Sequence, residues 1–186
     1  MKTILLVIIA VASFASVRSQ VPSLEKNIEY EPNVAYPYGR LNPKAPKETA
    51  QFGFMIGVFD CVDQVPGPED GKWIKSKTVW TSKYFLNGFG VQDTFVNPTT
   101  VAMGTRIFDP GKGKWIVNYF QSQPSYFAGV WEGLKEGENM IMRLERGENE
   151  NRLTFSQIKK DGFEWIGEIV NGEKVTPFWK ISCKRR

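Results

Sequence analysis

The stretch VAMGTRIFDPGKGKWIVNYF, residues 101–120, decides the fold class. Two short runs of alternating side chains flank the segment 109–114, which reads Asp-Pro-Gly-Lys-Gly-Lys. Apolar and β-branched residues with period two, interrupted by proline and glycine, are typical of antiparallel strands joined by a turn. The stretch therefore predicts a β-hairpin.

The same pattern extends outward over residues 51–186. Asn87-Gly88 and Asn171-Gly172 are dipeptides that favour tight hairpin turns. We expect strands near 52–61, 73–81, 83–87, 89–96, 101–108, 115–121, 126–134, 139–146, 152–158, 162–170 and 175–183. So many consecutive strands predict an all-β domain, built as an antiparallel up-and-down barrel or as a two-sheet sandwich.

The two cysteines favour the barrel. Cys61 ends the first predicted strand, and Cys183 ends the last. In a secreted protein two cysteines favour one disulfide, although two free thiols are the alternative. A bond between them makes the first and last strands neighbours, as closure of a barrel does. We therefore predict an up-and-down barrel closed by a Cys61–Cys183 disulfide.

The N-terminus has the pattern of a secretory signal peptide. Lys2 precedes the apolar run 4–12, and small residues follow as far as Ser19. The run is shorter than the roughly 20 residues that a membrane-spanning helix needs, and no later segment is longer or more apolar. We expect a signal peptide over 1–19, a secreted, extracellular protein without a membrane span, a proline-rich extended arm over 20–50 and a barrel domain over 51–186.

The charge distribution gives no sign of a nucleic-acid partner. The chain has 24 basic and 20 acidic residues, a net charge of +4. Removal of residues 1–19 takes away Lys2 and Arg18 and leaves 22 basic residues against 20 acidic ones, a net charge of +2. A nucleic-acid binder usually carries a basic stripe, and here only residues 184–186 form a basic cluster.

The absence of histidine removes the commonest general base and metal ligand. Ser-His-Asp, Cys-His and His-metal sites are therefore excluded, and neither a Walker loop nor a Rossmann fingerprint is present. We expect no metal site and no organic cofactor. The sequence carries no signal for the oligomeric state.

Strand alternation places two charged residues on one face. A four-residue loop over 97–100 puts Val91 opposite Arg106, and the loop over 109–114 puts Phe108 opposite Trp115. Asp93 and Arg106 then become diagonal neighbours that can form a charged hydrogen-bonded pair. The shared face comprises Val91, Asp93, Phe95, Ala102, Gly104, Arg106, Phe108, Trp115, Val117 and Tyr119.

This face fits a ligand cavity, which needs apolar walls and a few convergent polar groups. The opposite face is also half apolar, so either face fits the interior, and a purely structural ion pair is the alternative. Tryptophans beside glycines extend the candidate site to further strands. The candidate ligand-binding residues are Phe95, Asp93, Arg106, Phe108, Trp115, Tyr119, Trp131 and Trp165.

Several motifs resemble lipocalin-like proteins of the calycin group. The segment 52–57, Phe-Gly-Phe-Met-Ile-Gly, is similar to their opening motif, with Phe59 where a tryptophan is usual. Four further segments, 104–115, 131–133, 163–168 and 178–185, resemble poorly characterised lipocalin-like domains over residues 51–186. The resemblance implies a lipocalin-like barrel and carries no shared activity.

Three functions follow as hypotheses. The first is a secreted lipocalin-like protein that binds a small hydrophobic or aromatic molecule inside the barrel. The second is a cofactor-independent enzyme, an isomerase, cyclase or luciferase-like oxidase acting on a small apolar substrate, with Asp93, Arg106 and Tyr119 as its catalytic residues. The third is a structural or interaction protein.

Overall fold

The computed structural model describes residues 28–69 and 71–186. The predicted signal peptide and the first residues of the predicted arm, 20–27, lie outside the described residues. Among the described residues, no helix combines the length and the apolar character that crossing a bilayer requires.

Ten antiparallel strands form a closed barrel in which each strand pairs with its neighbours in the chain and the last pairs with the first. The all-β, up-and-down barrel prediction is therefore confirmed. The strands are β1 Gly57–Pro66, β2 Trp73–Phe85, β3 Gly90–Val96, β4 Val101–Asp109, β5 Lys114–Ser122, β6 Ser125–Glu136, β7 Asn139–Arg146, β8 Asn149–Lys159, β9 Gly162–Asn171 and β10 Lys174–Arg185.

The seam between β1 and β10 closes the barrel. Their residues pair in register, with Cys61 directly opposite Cys183. The two cysteines form a disulfide across this pair, as predicted. The bond thus joins the first strand to the last.

A 3₁₀ helix over Lys47–Met55 precedes β1, with Phe52 and Met55 fully buried. The prediction of a strand over 52–61 is wrong for its first residues, because β1 begins only at Gly57. Residues three apart share one side of a 3₁₀ helix, so Phe52 and Met55 can enter the barrel together. We call the end that receives this helix the closed end, and the other the open end.

Several hydrogen bonds fasten the closed end. The Arg185 guanidinium donates to the carbonyl oxygens of Phe54 at 2.6 Å and Ile56 at 2.5 Å. Its Nε donates to the carbonyl of Lys160 at 2.9 Å. The final strand therefore holds the end of the 3₁₀ helix against the barrel.

Residues 28–46 lie along the hairpin that joins β2 and β3 at the closed end. The backbone N–H of Tyr30 donates to Asn87 Oδ1 at 2.9 Å, and the N–H of Tyr84 donates to the carbonyl of Tyr38 at 2.8 Å. Asn42 Nδ2 donates to the Asn87 carbonyl at 3.0 Å. β2 continues unbroken through positions predicted as two strands, 73–81 and 83–87.

The wall of the barrel is irregular near the open end of β6. Between the pairs Asn118–Val130 and Phe120–Phe127, β6 carries one extra residue, and Gly129 in this bulge has a positive φ of 102°. The pairing of β6 with β7 runs only from Glu132–Arg143 to Glu136–Asn139. An extra residue on one strand bends that strand locally, so β6 is irregular at the open end of the barrel.

Candidate functional site

An ion pair between Asp93 and Arg106 lies inside the barrel. The predicted register is confirmed, with Val91 opposite Arg106 and Asp93 opposite Gly104. The two side chains are in direct contact and only 2% and 6% exposed. The face that carries them is therefore the inner face of the barrel.

Gly104 makes room for this pair. Its backbone N–H donates to Asp93 Oδ1 at 3.2 Å. A Cβ at this position would lie 3.0 Å from Arg106 Nη1 and 3.1 Å from Asp93 Oδ2. A side chain here would be in tight contact with both charged groups, which would have to shift slightly, so the glycine fits the observed ion-pair geometry.

Burial raises the pKa of Asp93, and the charge of Arg106 and its hydrogen bond oppose that rise. Arg106 also lies over the rings of Phe52 and Phe155, at 5.3 and 5.8 Å from their centroids. The guanidinium is thus enclosed by a carboxylate and by two aromatic faces that favour a cation.

The interior beside this pair is nearly filled. The deep cavity has a volume of about 30 Å³, which is room for one or two water molecules. It is lined by Trp80, Asp93, Phe95, Arg106, Val117, Tyr119, Trp131, Met142, Leu153, Phe155, Trp165, Trp179 and Ile181.

A larger cleft of about 250 Å³ lies at the open end. It shares five residues with the deep cavity and adds others from β5, β6, β7, β8 and β10. The shared residues are Tyr119, Trp131, Leu153, Trp165 and Trp179, and the others are Gln121, Tyr126, Ala128, Arg146, Asn151 and Phe178. The cleft thus has an aromatic floor and several polar groups in its walls.

A buried carboxylate fixes one wall of the cleft. Trp179 Nε1 donates to Asp63, which also accepts from Ser76 Oγ and Asn97 Nδ2 at 3.3 Å each. The Trp179 ring then meets the Trp165 ring edge to face, with centroids 5.3 Å apart. These contacts hold the two indoles in one orientation, so the aromatic floor is preorganised.

Tyr119 lines both the deep cavity and the cleft, and it lies opposite the β6 bulge. Burial raises the pKa of its hydroxyl strongly, and the nearby Asp93 carboxylate raises it further. The phenol therefore stays protonated at neutral pH and presents an O–H group rather than a negative charge.

Six of the eight candidate residues line the deep cavity: Asp93, Phe95, Arg106, Tyr119, Trp131 and Trp165. The structure places Phe108 and Trp115 elsewhere, at the closed end. Trp115 packs edge to face on Phe52 at 4.7 Å, and its Nε1 donates to Gln51 Oε1 at 3.0 Å. Phe108 lies against Trp115 and lines a hollow on the outer surface.

Sequence reasoning missed Trp80 and Trp179 as lining residues. In β2 the alternation Thr78, Trp80 and Ser82 marks the inner face, and all three are buried. The sequence contains this alternation, but the predicted break between the strands 73–81 and 83–87 interrupts it. In β10 a bulge between Pro177 and Trp179 interrupts the alternation, so period two alone does not place Trp179.

Among the described residues, no group of three or more Cys, Asp and Glu side chains is arranged to hold a metal ion. No protein-family model matches the chain, and no curated protein matches it. Among solved structures, the chain is similar to an S-type phycobiliprotein lyase, CPES, from Guillardia theta. The match has a TM-score of 0.46 and 8% identity, and it covers 73% of this chain and 90% of the other.

Proposed function

We propose that this chain is a secreted protein that binds a small hydrophobic or aromatic molecule at the open end of its barrel. The observation that carries the proposal is the open-end cleft of about 250 Å³, with Trp131, Trp165 and Trp179 in its wall. Ligand sites are typically apolar concavities with few polar groups, often at the mouth of a barrel. The disulfide supports secretion, since such bonds persist in oxidising compartments.

The size of the cleft limits the ligand. An apolar cavity of about 150 Å³ accommodates benzene, so a cleft of about 250 Å³ suits a molecule of one or two fused rings. The polar groups Gln121, Arg146 and Asn151 lie in the cleft wall, where they can bind a polar end of the ligand or water. Apolar burial supplies the affinity, and the fixed indoles supply the shape.

The geometry gives the enzyme alternative less support. A catalytic pair needs a substrate atom within hydrogen-bond reach, and the cavity beside Asp93 and Arg106 has only about 30 Å³. The carboxylate and guanidinium already bind one another. Of the three residues assigned to catalysis, only Tyr119 also lines the open-end cleft.

The test combines native mass spectrometry of protein from its source with titration of a neutral fluorescent probe, N-phenyl-1-naphthylamine. We expect a small molecule to co-purify with the protein, and we expect the probe to bind and to quench tryptophan emission. Ala128→Phe fills the cleft, and its matched control is Val130→Phe, which changes an exposed residue two positions along β6.

Ala128→Phe should weaken probe binding by about tenfold or more, a loss of at least about 1.4 kcal/mol, while Val130→Phe should leave it unchanged. Equal affinity in the wild type and in folded Ala128→Phe would place the probe outside the cleft. Failure of the wild type to bind any apolar probe would refute the proposed function.

A further inference from the structure

Three buried N–H donors belong to residues that line the deep cavity, and they have no acceptor among the described residues. They are Trp80 Nε1, Trp131 Nε1 and Arg106 Nε. All three residues line the cavity, and each is at least 95% buried. A buried donor without an acceptor costs about 1–3 kcal/mol, so a cavity with several of them favours an occupant that accepts hydrogen bonds.

The three donors differ in whether a protein acceptor lies close to them. The Trp80 indole helps to lower the pKa of Asp93, so the carboxylate partly satisfies that donor although the two do not reach hydrogen-bond geometry. Trp131 has no such partner, and it is the only one of the three that also lines the open-end cleft. Of the three residues, Trp131 is therefore the one that a ligand in the cleft can contact.

The charges around the cavity decide what kind of acceptor fits. Its ionisable groups are Asp93, Arg106 and Tyr119. The first two neutralise each other, and the phenol stays protonated because burial raises its pKa. Inside the deep cavity a carboxylate would lie beside the negative charge of Asp93, and Arg146, the cation of the cleft wall, does not line this cavity. Its burial there would be costly. A neutral oxygen acceptor avoids that cost.

We infer that the ligand is a neutral, flat, apolar molecule that bears a carbonyl oxygen, and that this oxygen accepts a hydrogen bond from Trp131 Nε1. The inference rests on the proposed function and deepens it. A cavity of about 30 Å³ takes a group the size of a water molecule, as a carbonyl oxygen is, while the ring lies in the cleft against Trp165 and Trp179.

A matched ligand series tests the acceptor. The probes are 2-acetylnaphthalene, 2-isopropenylnaphthalene, in which a CH₂ group replaces the oxygen at the same trigonal carbon, and 2-naphthoate, which carries a charge. Their affinities are measured by calorimetry or by displacement of N-phenyl-1-naphthylamine. We expect the wild type to bind the ketone about tenfold more tightly than the hydrocarbon, and more tightly than the carboxylate.

Two variants assign the preference to one donor. Trp131→Phe keeps an aromatic ring and removes the N–H, so the ketone should lose its advantage over the hydrocarbon. Trp165→Phe is the matched control, because it makes the same exchange in the same cleft and should keep the advantage. Thermal unfolding of each variant establishes that it is folded.

A spectroscopic measurement does not depend on any variant. The infrared carbonyl stretch of ¹³C-labelled 2-acetylnaphthalene should lie at lower frequency in the wild-type complex than in cyclohexane, which donates no hydrogen bond. An unshifted stretch, or equal affinity for ketone and hydrocarbon, would refute the hydrogen bond to a ligand carbonyl while leaving the proposed function in place. Tighter binding of the naphthoate would overturn the requirement for neutrality, and binding of none of the three would refute the proposed function itself.

Discussion

The two ends of this barrel differ in how completely side chains fill them. At the closed end Phe52 and Met55 of the 3₁₀ helix are fully buried, and Phe52 contacts Trp115 and Phe155 edge to face. At the open end the inner face is accessible at the rim of the cleft, where Tyr126 is 48% exposed. The difference shows that one inner face can supply a packed core at one end and an accessible aromatic cleft at the other.

The connections of the chain explain the asymmetry. The segment before β1 supplies the 3₁₀ helix, which adds apolar side chains to the closed end. At the open end the turns between β5 and β6, β7 and β8, and β9 and β10 have only two residues each. Such short turns carry no side chains that could fill the interior, so the cleft stays open.

The largest expected effect comes from removing a buried aromatic side chain of the 3₁₀ helix at the closed end. Phe52→Ala should lower the free energy of unfolding by about 3–5 kcal/mol, because it deletes a buried ring and leaves a cavity. It also removes one of the rings over Arg106. Chemical denaturation measures the change.

The matched substitution at the open end is Tyr126→Ala, which should cost less than about 1 kcal/mol because this ring of the cleft rim is half exposed. Equal losses for the two variants would contradict the contrast between a packed end and an accessible one.

The next largest effect on stability concerns the Asp93–Arg106 ion pair inside the barrel. Asp93→Val should cost about 3 kcal/mol, because it leaves the Arg106 charge buried without its partner. The double variant Asp93→Val/Arg106→Met should recover most of that loss, since an apolar pair of similar volume needs no counter-charge. Denaturant unfolding of both variants gives the comparison, and a double variant less stable than the single one would argue against a mainly structural pair.

The smallest effect is a pH dependence at the open end. The pKa of Tyr119 is raised in the folded protein, so above pH 10 the unfolded chain loses this proton while the folded chain keeps it. Stability therefore falls as the pH rises, by about 1.4 kcal/mol between pH 9 and pH 11 for one such group. Tyr119→Phe should remove that part of the slope, and parallel pH profiles for variant and wild type would show that the phenol titrates freely.

Much of the site could be predicted because short loops fix the register. The four-residue loop 97–100 and the loop after Asp109 determine which residues of β3, β4 and β5 face each other. The predicted pairing of Val91 with Arg106 and of Phe108 with Trp115 is found in the structure. The diagonal contact of Asp93 with Arg106 follows from that register alone.

Other features depend on information that local pattern lacks. The run 52–56 is apolar at nearly every position, so it shows neither period two nor period three, and its helical form depends on packing into the closed end. The volume of the deep cavity depends on how rings from distant strands interlock, as Trp80 does with Phe95, Phe155 and Phe163. Alternation places such rings inside the barrel, but it does not reveal how little space they leave.

The seam disulfide has a consequence for damaged molecules. Cys61 lies on β1 and Cys183 on β10, 122 positions apart. A protease that cuts once at any connection between these strands produces two fragments, each of which carries one cysteine of the bond. The fragments stay covalently joined, and the strands on either side of the cut keep their other neighbours in the barrel. A nicked molecule therefore separates into two pieces only when a reductant opens the disulfide.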